Sequence, residues 1–303
     1  MKLTQLRHLI AVAERGSLRA AARELGVAQP AVTRSIQELE RELGVPLLER
    51  HARGVFVTDM GQLLLRRAGS IVHEVRRAQE EIQQSNGGLA GTVTGAFSSV
   101  PHVSMLPHAL RPFRQRYPKV RMRIIEAVYP MAEAGLLDGS IDFYIGPLHR
   151  DSLAPSLSKT KLFDNERVVL ARKGHPLASA RALRELKQAE WLTTSITHNA
   201  EEELRELFER HRMMAPSIVI QAQSAFSAMT VLAATDLLAL MPVQWTDFEL
   251  TRRSLQRINV RETIAAPPIV LVRRAGLALT PAAEFFADLL RRAAGRQPGT
   301  ARS

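Results

Sequence analysis

Residues 16–39 read Gly16-Ser17-Leu18-Arg19-Ala20-Ala21-Ala22-Arg23-Glu24-Leu25-Gly26-Val27-Ala28-Gln29-Pro30-Ala31-Val32-Thr33-Arg34-Ser35-Ile36-Gln37-Glu38-Leu39. Ser17 stands where a hydroxyl can cap a helix, and Leu18, Ala21, Ala22 and Leu25 form its apolar face. Gly26 suits the left-handed residue that ends such a helix. A further helix starts at Gln29-Pro30, where the missing proline N–H costs nothing. Its Val32, Ile36, Leu39 and Leu43 recur at helical spacing. Upstream, Leu3, Leu6, Ile10 and Ala13 predict one buried stripe on a preceding helix.

The helix from Gln29 leaves Gln29, Thr33, Arg34 and Gln37 on its polar side. Two short helices joined by a tight turn, the second polar outside, match the way a major-groove reader is built. Gln can pair with adenine and Arg with guanine through two hydrogen bonds each. A polar helix face also arises simply from solvation, so the flanking segment decides. Leu47–Arg50 and Val55–Val57 read as short strands around Gly54, with Arg50, His51 and Arg53 at the tip. A basic hairpin beside a reading helix is a wing, suited to phosphate or minor-groove contact.

The chain has 303 residues, enough for two domains, with 46% hydrophobic and 23% charged residues, a globular composition. It has no cysteine, which excludes disulfides, zinc–thiolate sites, iron–sulfur clusters and thiol sensing. The apolar run Leu9–Ala13 is too short for a signal-peptide core, and Ser224–Val243 is interrupted by Asp236. A cytoplasmic protein without a membrane partner is expected. The formal net charge is +11, but residues 1–90 hold 13 basic and 10 acidic side chains, only +3 of it. Six basic residues without an acid fall in 111–123, and four more in 289–303. Pattern, not bulk charge, makes the case for DNA.

Gly16-Ser17-Leu18-x-Ala20-Ala21-Ala22-x-x-Leu25, Gln29-Pro30-Ala31-Val32-Thr33-Arg34-x-Ile36-x-x-Leu39-Glu40-x-x-Leu43-Gly44-x-x-Leu47 and Arg50-x-x-Arg53-Gly54-Val55-x-Val57-Thr58-x-x-Gly61 resemble the DNA-binding domain of LysR-type transcriptional regulators. Ala28, Leu48 and Asp59-Met60 depart from the usual capping Ser, Phe and Glu-Ala. The resemblance implies that Gln29, Pro30, Thr33 and Arg34 face bases or phosphates and that Arg53 belongs to the wing; Gln37 on the same helix side and Arg50 at the hairpin tip are further candidate DNA contacts.

From Thr58 to about Gln84 a long helical pattern carries Leu64, Ala68, Ile71, Val75, Ala78 and Ile82 at steps of four and three. That narrow seam predicts a coiled-coil-like dimer contact. Two reading helices related by a two-fold axis would then read a pseudo-palindromic operator on double-stranded DNA. Ser85–Gly91 supplies a hinge. The expected division is 1–58 as the DNA-binding domain, 59–90 as linker helix and hinge, and 91–303 as an effector domain.

Beyond Gly91, strand-like runs alternate with helical patterns, predicting open, mostly parallel sheets with helices on their faces. Leu106-Pro107, Tyr117-Pro118, Leu137-x-Gly139-x-Ile141-Asp142, Gly174-His175-Pro176-Leu177 and Leu240-Met241-Pro242 resemble the family's effector-binding domain. The fold class is therefore α/β with an N-terminal all-α winged helix-turn-helix, a long linker helix and a two-lobed effector domain like periplasmic binding proteins. The resemblance implies one lobe of about 91–161 plus 267–303 and another of about 162–266.

Ligands in such sheets bind at the carboxyl ends of strands. Ser98, Ser99, Tyr129, Pro147, Ser195, Thr197 and Ser224 fall at these turns and are the candidate effector contacts. Each hydroxyl could equally be a helix cap; their joint placement favours a pocket. Val128-Tyr129-Pro130 and Leu279–Ala283 resemble family members that sense aromatic carboxylates or sulfonates, such as the regulator of toluenesulfonate degradation. A small organic anion is the expected effector, with no cofactor and no metal. A homodimer or homotetramer is expected, and RNA polymerase is a further candidate partner.

An enzyme is the competing class, yet the chain carries no G-x-S-x-G, G-x-x-x-x-G-K-[ST] or H-E-x-x-H motif and no dinucleotide fingerprint. Ser98 with His102 is the one nucleophile–base pairing to test. An architectural DNA-binding protein without a ligand is the third reading.

Overall fold

The computed structural model describes residues 1–51, 54–148, 153–194 and 200–295, Arg50 by its backbone alone. Two compact units result, Met1–Gly88 with Gly135–Ser140, and Leu89–Ala134 with Ile141 onward.

In the first unit, α1 (Leu3–Arg15), α2 (Leu18–Leu25) and α3 (Gln29–Leu43) precede a hairpin of β1 (Leu48–His51) and β2 (Gly54–Val57), then the long α4 (Asp59–Ser85). The Ser17 hydroxyl accepts from the Ala20 N–H, and Gly26 ends α2 in the left-handed conformation. The core gathers Leu9, Val12, Ala21, Val32, Ile36, Leu39 and Leu47. The α1 stripe therefore differs from the sequence expectation. Leu6, Leu9 and Val12 are buried, whereas Leu3, Ile10 and Ala13 are only half-buried. Both sets have helical spacing, and packing against α2 and α3 selects between them.

Side chains of the motif stitch this unit together. The Glu40 carboxylate accepts from the N–H groups of Leu47 and Leu48, tying α3 to the wing. Thr58 caps α4 through the Gly61 N–H and donates to the Pro46 carbonyl. A Cβ at Gly61 would stand 2.2 Å from the Leu47 carbonyl oxygen, so only glycine permits that approach. Along α4, Ala68 is buried, Leu64 and Val75 are half-buried, and Ile71 and Ile82 are 39% and 63% exposed.

The second unit contains β3 (Ala90–Phe97), α5 (Ser99–Ser104), α6 (Leu106–Arg116), β4 (Lys119–Glu126), the start of α7 (Tyr129–Asp138, whose residues from Gly135 on fall in the first unit), β5 (Phe143–Pro147) and β6 (Leu157–Arg172). It continues with β7 (Glu190–Thr194), α8 (Ala200–Arg210), β8 (Ser217–Ala222), α9 (Ala225–Ala234), β9 (Ala239–Pro242), α10 (Glu249–Ser254), β10 (Leu255–Ile258), β11 (Ile264–Arg274) and α11 (Pro281–Ala294). Helical and strand patterning was legible for most of these; the length of β6 and β11 was not.

The expectation of mostly parallel sheets needs correction. The large sheet runs β10-β6-β11-β5-β3-β4, with β9 also on β6. Only β3 pairs in parallel within it, with β4 and β5; β6, β9, β10, β11 and the β11–β5 contact are antiparallel. The reason is that β6 and β11 are long strands passing through both halves of the domain, so each half is closed by antiparallel returns. Strands β7 and β8 form a separate parallel pair.

One core packs Phe97, Phe113, Phe143, Phe163, Ile269 and Phe286. Others pack Val169, Trp191, Phe208 and Ile264, and Val168, Leu192, Leu232 and Trp245. The chain crosses from the first core to the others between Phe163 and Val168 on β6, and between Ile264 and Ile269 on β11, where the register shifts. The basic residues Arg111, Arg114, Arg116, Lys119, Arg121 and Arg123 are exposed. Lys119, Arg121 and Arg123 alternate along β4, the strand at the end of the sheet order, where charge discourages edge-to-edge pairing.

Among the described residues, no helix is long and apolar enough to cross a membrane.

Candidate functional site

Helix α3 presents Gln29, Pro30, Arg34 and Gln37 to solvent, with Thr33 half-buried. They share the first half of the helix because Val32, Ile36 and Leu39 hold the opposite face in the core. Ala28 precedes α3 in extended backbone and makes no side-chain cap, so the departure noted in the sequence leaves the helix start uncapped. A groove between α1 and α3 is lined by Lys2, His8, Pro30, Arg34, Ser35 and Glu38. His8 is 8% exposed, its Nδ1 has no partner among the described residues, and burial lowers its pKa below the ordinary 6.5. In the wing, the His51 ring meets Phe56 edge-on at 5.3 Å. Arg53 and the Arg50 side chain lie outside the described residues.

The second site lies where strands end. A cavity is lined by Ser98 and Ser99 after β3, Pro147 at the end of β5, Thr193 and Thr194 at the end of β7, and Pro242 at the end of β9. Asn165 and Arg167, on one face of β6, together with Ala266 and Pro267 on β11, complete it. These are the crossing segments of the two long strands, so both groups of cores contribute to its walls.

Local packing places Ser98. Its N–H donates to the Ile145 carbonyl at 2.9 Å. A Cβ on Gly146 would come within 2.1 Å of the Tyr144 hydroxyl and 2.8 Å of the Ser98 Cβ, so glycine lets β5 close up against it. Ser98 and Ser99 are 2% and 3% exposed, yet neither hydroxyl has a partner among the described residues. The same holds for Thr193 Oγ1 and Asn165 Oδ1. A buried polar atom without a partner costs about 1–3 kcal/mol, so four around one cavity make a wall that water or a polar ligand group would satisfy. Arg167 is the one charged side chain among the described residues of this lining, and it is ion-paired with Glu203 of α8.

A second pocket shares Ser98 and Ser99 with the first and adds Glu126, Val128, Met131, Gln223 and Ser224. Ser224 caps α9, accepting from the Ser227 N–H at 3.1 Å, so its hydroxyl has a structural role as well. Tyr129 departs from expectation. It is buried, donates to Glu133 Oε1 at 2.7 Å and lines neither pocket. Burial and the Glu133 hydrogen bond push its phenol up to about 12. Ser195 and Thr197 lie outside the described residues, as does His198.

Ser98, Ser99 and Pro147 thus meet at one cavity, with Ser224 at its shared neighbour. Asn165, Arg167, Thr193 and Thr194 escaped the sequence reading. The Thr pair immediately precedes the expected Ser195 in the sequence, and the i, i+2 spacing of Asn165 and Arg167 is informative only once β6 is recognised as a strand. The dyad reading is set aside by geometry: His102 Nδ1 lies 2.8 Å from the Ser98 main-chain carbonyl oxygen, not its hydroxyl.

Comparison with known proteins identifies the family. Residues 3–62 match the bacterial regulatory helix-turn-helix protein model of the lysR family, and residues 86–295 match the LysR substrate binding domain. The HTH-type transcriptional regulator TdcA of Escherichia coli K12 is 27% identical over 95% of this chain and 92% of its own. The SDS degradation transcriptional activation protein of a Pseudomonas species is 28% identical over 95% of both. Full-length CbnR, crystallised with its target DNA, shares the fold at a TM-score of 0.70 and 23% identity, over 97% of this chain and 100% of that one. With a helix-turn-helix at the front and a substrate-binding domain over most of the remainder, the chain belongs to the LysR family of DNA-binding transcriptional regulators.

Proposed function

We propose that this regulator binds a pseudo-palindromic operator as a homodimer or a dimer of dimers, and that a small organic mono-anion in the Ser98–Ser99 cavity modulates that binding. Segment 1–58 reads DNA, 59–90 dimerises, and 91–303 senses. Gln29, Pro30, Thr33, Arg34 and Gln37 contact bases and phosphates from α3, and Arg50 and Arg53 contact the backbone from the wing. Exposure of Ile71 and Ile82 on α4 supports the dimer seam.

The observation that carries the effector reading is the set of buried hydroxyls without partners, Ser98, Ser99 and Thr193, at the cavity wall. Hydroxyls suit carboxylate and sulfonate oxygens, and charge-assisted hydrogen bonds are the stronger kind. An aromatic carboxylate or sulfonate is the proposed class. One relative is named for degradation of SDS, itself an organic sulfate mono-anion. Ser195 and Thr197 are assigned to the same site by their place after β7. Modulation requires that the effector bind two assembly states with different affinity.

Calorimetric titration of the full chain with aromatic carboxylates and sulfonates tests this. Saturable binding that Ser99→Ala weakens is the expected result; binding of cations or sugars alone would refute it.

A further inference from the structure

The cavity has an internal polarity that selects among anions. Its hydroxyls can donate to an anion, but Asn165 Oδ1 can only accept. Asn165 is 6% exposed, lines the cavity and leaves that oxygen without a partner among the described residues. Two residues further on the same strand face, the positive charge of Arg167 is already matched by Glu203. No uncompensated cation therefore stands on the described wall of this cavity to attract a second anionic group.

We infer that the effector is a mono-anion that also carries a hydrogen-bond donor, a hydroxy acid or an acid bearing a neutral aromatic amine, with its donor on Asn165 Oδ1 and its anionic group on the Ser98 and Ser99 hydroxyls. This deepens the anion reading given above and rests on it. A plain mono-anion leaves the buried Asn165 oxygen unsatisfied. A di-anion adds a second negative charge that nothing on the described wall offsets.

Matched ligands separate the two levels. Benzoate and its 2-, 3- and 4-hydroxy derivatives, benzenesulfonate and its amino derivatives, and the phthalate di-anions are titrated calorimetrically into the full chain. At least one donor-bearing isomer binds about five- to tenfold more tightly than its parent, the gain from one hydrogen bond to a buried acceptor. Phthalates bind more weakly than benzoate. Asn165→Leu abolishes the preference for the donor while the parent still binds. Asn165→Asp, which keeps an acceptor and the polar wall, weakens all the anions but retains the preference, so a folding defect in the Leu variant does not hide the result. Parents binding as tightly as every derivative, or a preference unchanged in Asn165→Leu, overturns the inference while the anion reading stands. Failure of every anion to bind overturns both.

Discussion

The Nδ1 of His102 lies 2.8 Å from the main-chain carbonyl oxygen of Ser98, so the His102 ring does not engage the Ser98 hydroxyl, which has no partner among the described residues. A hydroxyl held at the wall of a cavity, buried and without a partner among the described residues, is placed for a ligand and contributes nothing to the folded core. Ser98→Ala is therefore expected to leave the ligand-free protein as stable as wild type or more stable, by up to about 1–3 kcal/mol, because it removes a buried polar atom that makes no bond. Effector affinity falls by about 2 kcal/mol, the loss of a charge-assisted bond. Thermal unfolding and calorimetry on the same variant check both halves.

Arg34, exposed on the first half of α3, is expected to read bases. Arg34→Ala should cost about 1–3 kcal/mol on the operator and relax preference at one position. Arg53→Ala should weaken binding to all sequences alike and reduce the salt dependence. Fluorescence anisotropy over a panel of operator variants distinguishes them; equal, sequence-independent losses would refute the division.

Ala28 precedes α3 in the extended conformation a capping residue adopts, but has no oxygen to offer. Ala28→Ser is expected to stabilise the DNA-binding unit by about 1 kcal/mol, and Ser17→Ala, which removes a cap that is present, to cost a similar amount. Denaturant unfolding of the full chain reports both signs.

These positions show where sequence was sufficient. Caps, glycine breaks and the steps of Val32, Ile36 and Leu39 are local features, and local features determined the helices of the first unit. On α1, Leu9 and Ile10 are equally apolar neighbours, so only tertiary packing could choose Leu9. Strand β6 was harder still. Lys159, Lys161, Asp164 and Glu166 make its first part read as a polar loop, because that stretch has an outward face and pairs with β11 over a long antiparallel run. Asn165 and Arg167 were hidden with it. Tyr129 misled for the opposite reason: its place after a strand was right, but its hydroxyl is engaged by Glu133 one helical turn away.

His8 gives a pH signature. Burial lowers its folded-state pKa below the ordinary 6.5. Above about pH 6.5 both folded and unfolded chains hold it neutral, and its contribution to stability is constant. As pH falls below 6.5 the unfolded state takes up the proton first, so stability declines until the folded-state pKa is reached. His8→Gln should flatten this part of the stability profile, measured by denaturant unfolding between pH 5 and about 8.

Ile71 and Ile82 expose apolar surface on a helix whose Ala68 is buried. Placing a charge there, as Ile71→Glu with Ile82→Glu, is expected to shift the protein to monomers in sedimentation and to lower operator affinity at least tenfold, since two reading heads would no longer be joined. Unchanged sedimentation would remove the seam from the account.

The most direct test of the central claim is protection mapping on the intergenic DNA beside the chain's own gene, with and without the tightest-binding anion, for wild type and Ser98→Ala. The account predicts that the anion alters the wild-type footprint, while Ser98→Ala keeps the ligand-free footprint and no longer responds at that anion concentration. A wild-type footprint indifferent to a bound anion, or a Ser98→Ala variant that responds as wild type does, would contradict it.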